Sequence, residues 1–270
     1  MPSGLKPGCA KFEKKPLHDV IASAEHFLAA VFKLRQTLSN RKLLYRGLPK
    51  ASYKLLPSVG RPQEYAKRNV ELDDSAEINL LHRFRRRAFP HTDRVLAAGE
   101  AIFLARHHGL PTRLLDWTAN ALYALYFSCY QDWNNPGRVW ALVRRETEEH
   151  DLDAFKLASV QGERELFDQF RAPSIKIVHP IFNSPRLLAQ DGAFTIQSNP
   201  RKPIESFAGV PFEEKNLDVE ALYWWAIPRR HKTRIIKDLS GLGITHRTVF
   251  PDLDGVARSL WETEVLWSGR

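Results

Sequence analysis

Apolar and polar positions alternate along the 270 residues in two styles, helical in the first half and strand-like in the second. Residues 1–16 show neither period and read as a flexible basic arm. Residues 17–38 then place Ile21, Ala24, Phe27, Leu28, Val31 and Leu34 at the spacing of an amphipathic helix. "KLLYRG" predicts a short strand ending at Gly47, and three prolines with a glycine mark "LPKASYKLLPSVGRP" as loop. Helices are expected over 75–89, capped by Asp74 or Ser75, and over 93–107, closed by Gly109 and Pro111. Beyond the turn signal "NNPG" at 134–137, "RVWALVR" is an unbroken apolar run suited to a buried strand. "IKIVHP" (175–180), "AFTIQS" (193–198) and "ALYWWAIP" (221–228) predict further strands. Ile235, Ile236, Leu239 and Leu242 share one helical face; "ITHRTVF" predicts a last strand and "DLDGVARSLWETEV" a last helix. No repeat, low-complexity block or Pro/Gly/Ser-rich linker divides the chain. The expectation is a single mixed α+β domain over 17–270, with a helical N-terminal half and a strand-rich C-terminal half.

Composition fits this picture, with 43% hydrophobic and 26% charged residues. No uncharged run is long enough to span a membrane, and the first lysines are not followed by the apolar core of a signal peptide. Cys9 and Cys129 make neither a disulfide framework nor a zinc spacing, so a cytoplasmic protein without membrane partners is expected. A net charge of +9 suits an anionic partner, whether nucleic acid, nucleotide or acidic protein, as well as a merely solvated basic surface. The densest run, "HRFRRRAF", sits on a helix whose apolar stripe is Leu80, Leu81, Phe84 and Ala88. Arg83, Arg85, Arg86 and Arg87 thus share the outer face as a candidate nucleic-acid-binding patch.

Candidate chemistry narrows by elimination. The chain has no Gly-Lys-Ser/Thr phosphate loop, GxGxxG, HExxH, GxSxG or paired CxxC, which removes the commonest nucleotide hydrolases, dinucleotide-binding enzymes, zinc proteases and α/β-hydrolases. A serine or histidine nucleophile on another scaffold stays open. The dense stretch is "LARHHGLPTRLLDWTANALYALYFSC", which crowds His107, His108, Arg113, Asp116 and Thr118 into a dozen residues. Adjacent histidines on a helix point about 100° apart, so His107 and His108 suit support of a helix end better than a shared metal, and no metal is expected. Arg46 closes an apolar strand, where a guanidinium needs a carboxylate such as Asp116 or an open cleft; both can hold at once. Gly47 allows a sharp turn or close approach by a ligand. Thr118 or Asn120 can cap the next helix, whose start offers free N–H groups to an anion, and Trp117 beside it can stack on a flat ring or fill the core.

"YRG" at 45–47, "ARHHGLPTRLLDWTANALYALYFSC" at 105–129, "RLLAQDGAFTI" at 186–196 and "GITHRTVFPDLDGVARSL" at 243–260 closely resemble the FRG domain, which bacterial chains and mobile elements carry. A weaker similarity links the motif order to the ADP-ribosyltransferase plan: a strand-borne arginine, a Thr-containing strand running into an Ala-and-aromatic helix, then an acidic or amide residue before a late strand. That similarity implies an ADP-ribosyltransferase-like fold with NAD as substrate. Arg46, Thr118 and Gln190 would be catalytic, Arg46, Gly47, Arg113, Asp116 and Trp117 would contact NAD, and His107 and His108 would give support. "DWT" at 116–118 stands where the family has Ser-Thr-Ser, and Gln190 where it has a late glutamate; Asp191, Glu163 and Glu165 are reserve carboxylates. The implied function is an NAD-consuming toxin or phage-defence effector, with an antitoxin or defence-system partner. Two alternatives remain: a non-catalytic nucleic-acid-binding module using Arg83–Arg87, and a metal-independent nuclease using His107 or His108 with Arg113.

Overall fold

A computed structural model describes residues 13–61, 63–65, 68–70, 72–145, 154–171, 174–179, 188–209 and 216–267. It is an α+β fold built on a mixed sheet. The sheet contains β1 (Glu13–Val20), β2 (Leu43–Leu48), β5 (Leu114–Thr118), β6 (Gly137–Arg144), β7 (Ser174–Val178), β8 (Gly192–Gln197), β9 (Asn216–Leu217) and β10 (Val219–Ile227). Their spatial order is β1-β10-β6-β2-β5-β8-β7-β9, antiparallel except at the two outer pairs, β1 with β10 and β7 with β9. A small hairpin, β3 (Gln63–Tyr65) with β4 (Arg68–Val70), stands apart.

The unbroken apolar runs of β6 and β10 reflect burial on both faces. Val139, Ala141, Val143, Ala221, Tyr223 and Trp225 enter one core cluster, while Trp140, Leu142 and Leu222 enter another. The period of two in a strand sends neighbours to opposite faces, and both faces are covered. On the first face lie α1 (Ala24–Thr37), α4 (Ala121–Cys129) and α7 (Lys232–Gly241), through Phe27, Val31, Leu125, Ile235 and Leu239. At the β5–β8–β7 end, Leu114, Val178, Phe194 and Ile196 pack with Leu81 of α2 (Asp74–Thr92), Ile102 and Phe103 of α3 (Ala98–His107), Leu157 of α5 (Ala154–Ser159) and Leu166 of α6 (Glu163–Asp168).

Several elements depart from the sequence reading. The expected arm at 1–16 falls mostly outside the described residues, but Glu13–Pro16 pair in register with Ala221–Trp224. Exposed Lys14, Lys15 and Pro16 give this edge strand a polar pattern without apolar alternation, which also protects the edge. The first helix therefore begins at Ala24, where the Ser23 hydroxyl accepts the His26 N–H. Residues 116–118 end a strand, and Asn120 caps α4 by accepting the N–H groups of Leu122 and Tyr123. "ITHRTVF" forms no strand: Thr245 and Thr248 exchange capping bonds around α8 (His246–Val249). The last helix, α9 (Leu253–Trp267), is where the pattern put it.

Gly47 has a structural reason of its own. A Cβ there would lie 1.9 Å from the Ala124 carbonyl oxygen and 2.7 Å from the Ser128 nitrogen, both backbone atoms of α4. The glycine lets helix and strand touch, a requirement that stands whether or not a ligand also approaches there. Gly47→Ala is expected to lower stability by about 1–3 kcal/mol through overpacking against rigid backbone. Urea unfolding checks this, and unchanged stability would mean that α4 shifts away freely.

Candidate functional site

β5 pairs with β8 along its whole length but meets β2 only at Tyr45–Thr118, and beyond that pair the two strands part. Arg46 fills the split. Its Nη1 donates to the Asp116 backbone carbonyl at 2.5 Å, taking the place of a ladder bond, and lies 3.4 Å from the Asp116 carboxylate. The split opens into a cavity of about 830 Å³.

A second arginine comes from the last turn of α3, which ends on Gly109 at φ +82. The Leu110 N–H bonds the Ala105 carbonyl and the Gly109 N–H that of Arg106, the paired closure that a left-handed residue permits. This end aims Arg106 at Asp116, with Nε donating to Oδ1 at 3.1 Å and Nη2 to Oδ2. A third, Arg61, follows the tight turn Ser58–Gly60; its Nε and Nη2 clasp the Leu56 carbonyl at 3.0 and 2.8 Å. Partial burial works against the Asp116 charge, but Arg106 and Arg46 outweigh it and hold the carboxyl down at about 2. Burial lowers the Arg46 guanidinium to about 10, with Asp116 opposing and Arg61 and Arg106 assisting, so it remains a cation at neutral pH. The buried Arg46 Nε has no hydrogen-bond partner among the described residues.

The far wall is a brace between β5 and the turn before β8. The Thr118 hydroxyl donates to the Gln190 carbonyl and accepts the Asn120 N–H, while the Gln190 side-chain amide donates to the Val249 carbonyl at 2.9 Å. Tyr53, Phe103, Phe127 and Tyr130 add aromatic surface.

Of the residues expected from sequence, Arg46, Gly47, Asp116, Trp117, Thr118, Gln190 and His107 all line this cavity. Trp117 does so only at an edge, since its ring is buried in the sheet and its Nε1 donates to the Thr195 hydroxyl at 2.9 Å. Asp191, on a turn at φ +44, is exposed and does not line the cavity.

Other assignments need correction. Arg113 is not in the cavity: it is 2% exposed, donates to Glu77 from Nε and Nη2 at 3.0 and 2.8 Å, and lies 4.4 Å over the Phe167 ring. Arg113 instead borders a separate pocket with Asp74 and Phe167, whereas His107 lines the cavity at the strand split. His108 is exposed outside the cavity, its ring edge-on to His107 at 5.0 Å. Arg85 turns inward, bonding Glu163 at 2.6 Å and the Leu96 carbonyl at 2.6 and 2.8 Å, which removes it from the basic patch. Arg83, Arg86 and Arg87 stay on the exposed face of α2. Glu163 is taken by Arg85, and neither it nor Glu165 lines the cavity.

Sequence reasoning missed Arg61 and Arg106. Arg106 lies inside the singled-out stretch, in the last helical turn, where periodicity alone places it on the surface. Arg61 lies between Gly60 and Pro62 in a loop, and only its three-dimensional neighbours give it a role.

Among the described residues no group of histidine, cysteine, aspartate and glutamate is arranged to hold a metal ion, and no helix is long and apolar enough to cross a membrane. A family model described as FRG domain matches residues 41–136. That segment carries Arg46, Arg61, Arg106, Asp116 and Thr118, whereas Gln190 and the resembling blocks at 186–196 and 243–260 lie beyond it. No curated protein and no solved structure matches the chain.

Proposed function

We propose that this chain, which carries an FRG domain over residues 41–136, binds NAD in the cavity and breaks its bond to nicotinamide, in the manner of an ADP-ribosyltransferase. The observation that carries the reading is Arg46, held at the strand split on the Asp116 carbonyl and lining the cavity together with two more arginines, Arg61 and Arg106. A cavity of about 830 Å³ is within the range of small-molecule and cofactor sites. Aromatic rings at its sides suit the flat faces of nicotinamide and adenine.

In such a reaction the C1′–N bond breaks with its electron pair leaving on nicotinamide. The ribosyl cation is captured by an oxygen of water or of an acceptor, which then loses its proton to bulk water. Asp116, with both oxygens engaged by Arg106, serves as a fixed negative charge and not as the proton acceptor. Gln190 can offer only amide dipoles to the developing cation, so stabilisation there is electrostatic and weaker than a carboxylate provides. The Thr118 hydroxyl holds the Gln190 loop in place. In a cell this chemistry would suit a toxin or phage-defence effector restrained by a partner. The second reading, a nucleic-acid-binding module, rests on Arg83, Arg86 and Arg87, which α2 leaves exposed.

The test is incubation of the purified protein with labelled NAD, with and without a cell extract, following nicotinamide release and label transfer together. Release or transfer is expected. Intact NAD in the presence of folded protein and extract would overturn the catalytic reading.

A further inference from the structure

The cavity holds more positive charge than one phosphate needs. Arg46, Arg61 and Arg106 reach it from three different elements, and Lys54 lines it too, while Asp116 is the one carboxylate among its described lining residues. Each guanidinium is anchored before any ligand arrives: Arg46 on the Asp116 carbonyl, Arg61 on the Leu56 carbonyl, and Arg106 on the Asp116 carboxylate. Anchored planar forks lose little freedom on binding and match phosphate oxygens two at a time. Arg46 and Arg106 share the one carboxylate, and Arg61 near them adds a third positive charge that repels both. A group with two linked phosphates relieves this better than a single phosphate, because it carries more charge and spans more than one fork.

We propose that Arg61 and Arg106, together with Arg46, form a pyrophosphate subsite, so that the ligand class is a nucleoside diphosphate or dinucleotide and not a nucleoside monophosphate or a phosphodiester strand. This rests on the reading of the cavity as the ligand site and is independent of the bond that is broken there.

The experiment is calorimetric titration of the whole protein with inorganic pyrophosphate, orthophosphate, AMP, ADP and NAD, repeated on Arg61→Gln and Arg61→Lys. Pyrophosphate and ADP should bind at least about 10-fold more tightly than orthophosphate and AMP, the worth of one charge-assisted contact. Arg61→Gln should shrink that preference about 10-fold, and Arg61→Lys, which keeps the charge but loses the fork, should fall between. Lys33→Gln, on the exposed face of α1 and outside the cavity, should leave it unchanged. Equal affinity for pyrophosphate and orthophosphate, no binding of either, or an undiminished preference in Arg61→Gln would overturn the subsite. Pyrophosphate and ADP bound without NAD would keep the subsite and sink the NAD reading, whereas NAD bound without any pyrophosphate preference would do the reverse.

Discussion

Replacing Glu77 with alanine should cost about 3–5 kcal/mol of folding stability, the loss expected when one partner of a buried ion pair is removed. Arg113 and Glu77 are 2% and 3% exposed, and the Glu77 carboxylate also accepts the Arg113 backbone N–H at 2.8 Å. Without it, Arg113 keeps Asp74 at 3.0 Å, but that side chain is 74% exposed and solvent weakens its hold. The Phe167 and Phe170 rings against the guanidinium cannot take up its hydrogen bonds. The double substitution Glu77→Leu with Arg113→Met should recover most of the loss, because well-packed apolar residues often replace a buried pair without penalty. Equilibrium urea unfolding reads both. A single-variant loss below about 1 kcal/mol would mean that the pair is hydrated. The double variant should also bind pyrophosphate like the parent protein, since Arg113 lies outside the cavity; lost binding would return Arg113 to the site.

Strands buried on both faces were readable because their apolar runs need no phase: β6, β7, β8 and β10 lie where "RVWALVR", "IKIVHP", "AFTIQS" and "ALYWWAIP" put them. The elements misread are those whose pattern is set by something other than core burial. β1 is an edge strand with exposed lysines and a proline, so nothing apolar announces it. β5 is implied by the ADP-ribosyltransferase similarity but not by the apolar pattern, because it is flanked by Arg113 and contains Asp116, charges whose partners lie on α2 and α3. In "ITHRTVF", β-branched residues favour a strand, but the Thr245–Thr248 capping exchange closes a turn of helix first.

The site was legible where one residue could not be explained locally. Arg46 at the end of an apolar strand demands a carboxylate or a cleft, and it has both. Arg113, in the dense stretch 104–129, is a second buried cation, yet its demand is met away from the cavity by Glu77, 36 positions earlier, and by Asp74. Sequence shows that a buried cation needs a partner and not which one it finds. Arg61 and Arg106 pose no local puzzle at all, since each can be drawn on a solvated surface. Their convergence on one cavity depends on where a loop and a helix end meet, and that is tertiary information.

Arg46→Ala should abolish function at this site while leaving the fold in place. The side chain makes one bond to the Asp116 carbonyl and a longer contact to its carboxylate, and Arg106 continues to hold Asp116 after its removal. The stability cost is therefore that of one charge-assisted hydrogen bond, about 1.5–3 kcal/mol. The functional cost is larger, because a preorganised donor aimed at an anionic or charge-developing group in a water-poor site contributes about 10²–10³-fold in rate. Arg46→Lys keeps the charge but cannot bridge the strand split and still offer a second planar donor, so it should recover only part of that factor. Nicotinamide release by the two variants, compared with their urea unfolding, separates the effects. If Arg46→Ala released nicotinamide within about twofold of the parent, the reaction would not pass through this cavity, and the exposed arginines of α2 would become the place to look for what the chain does.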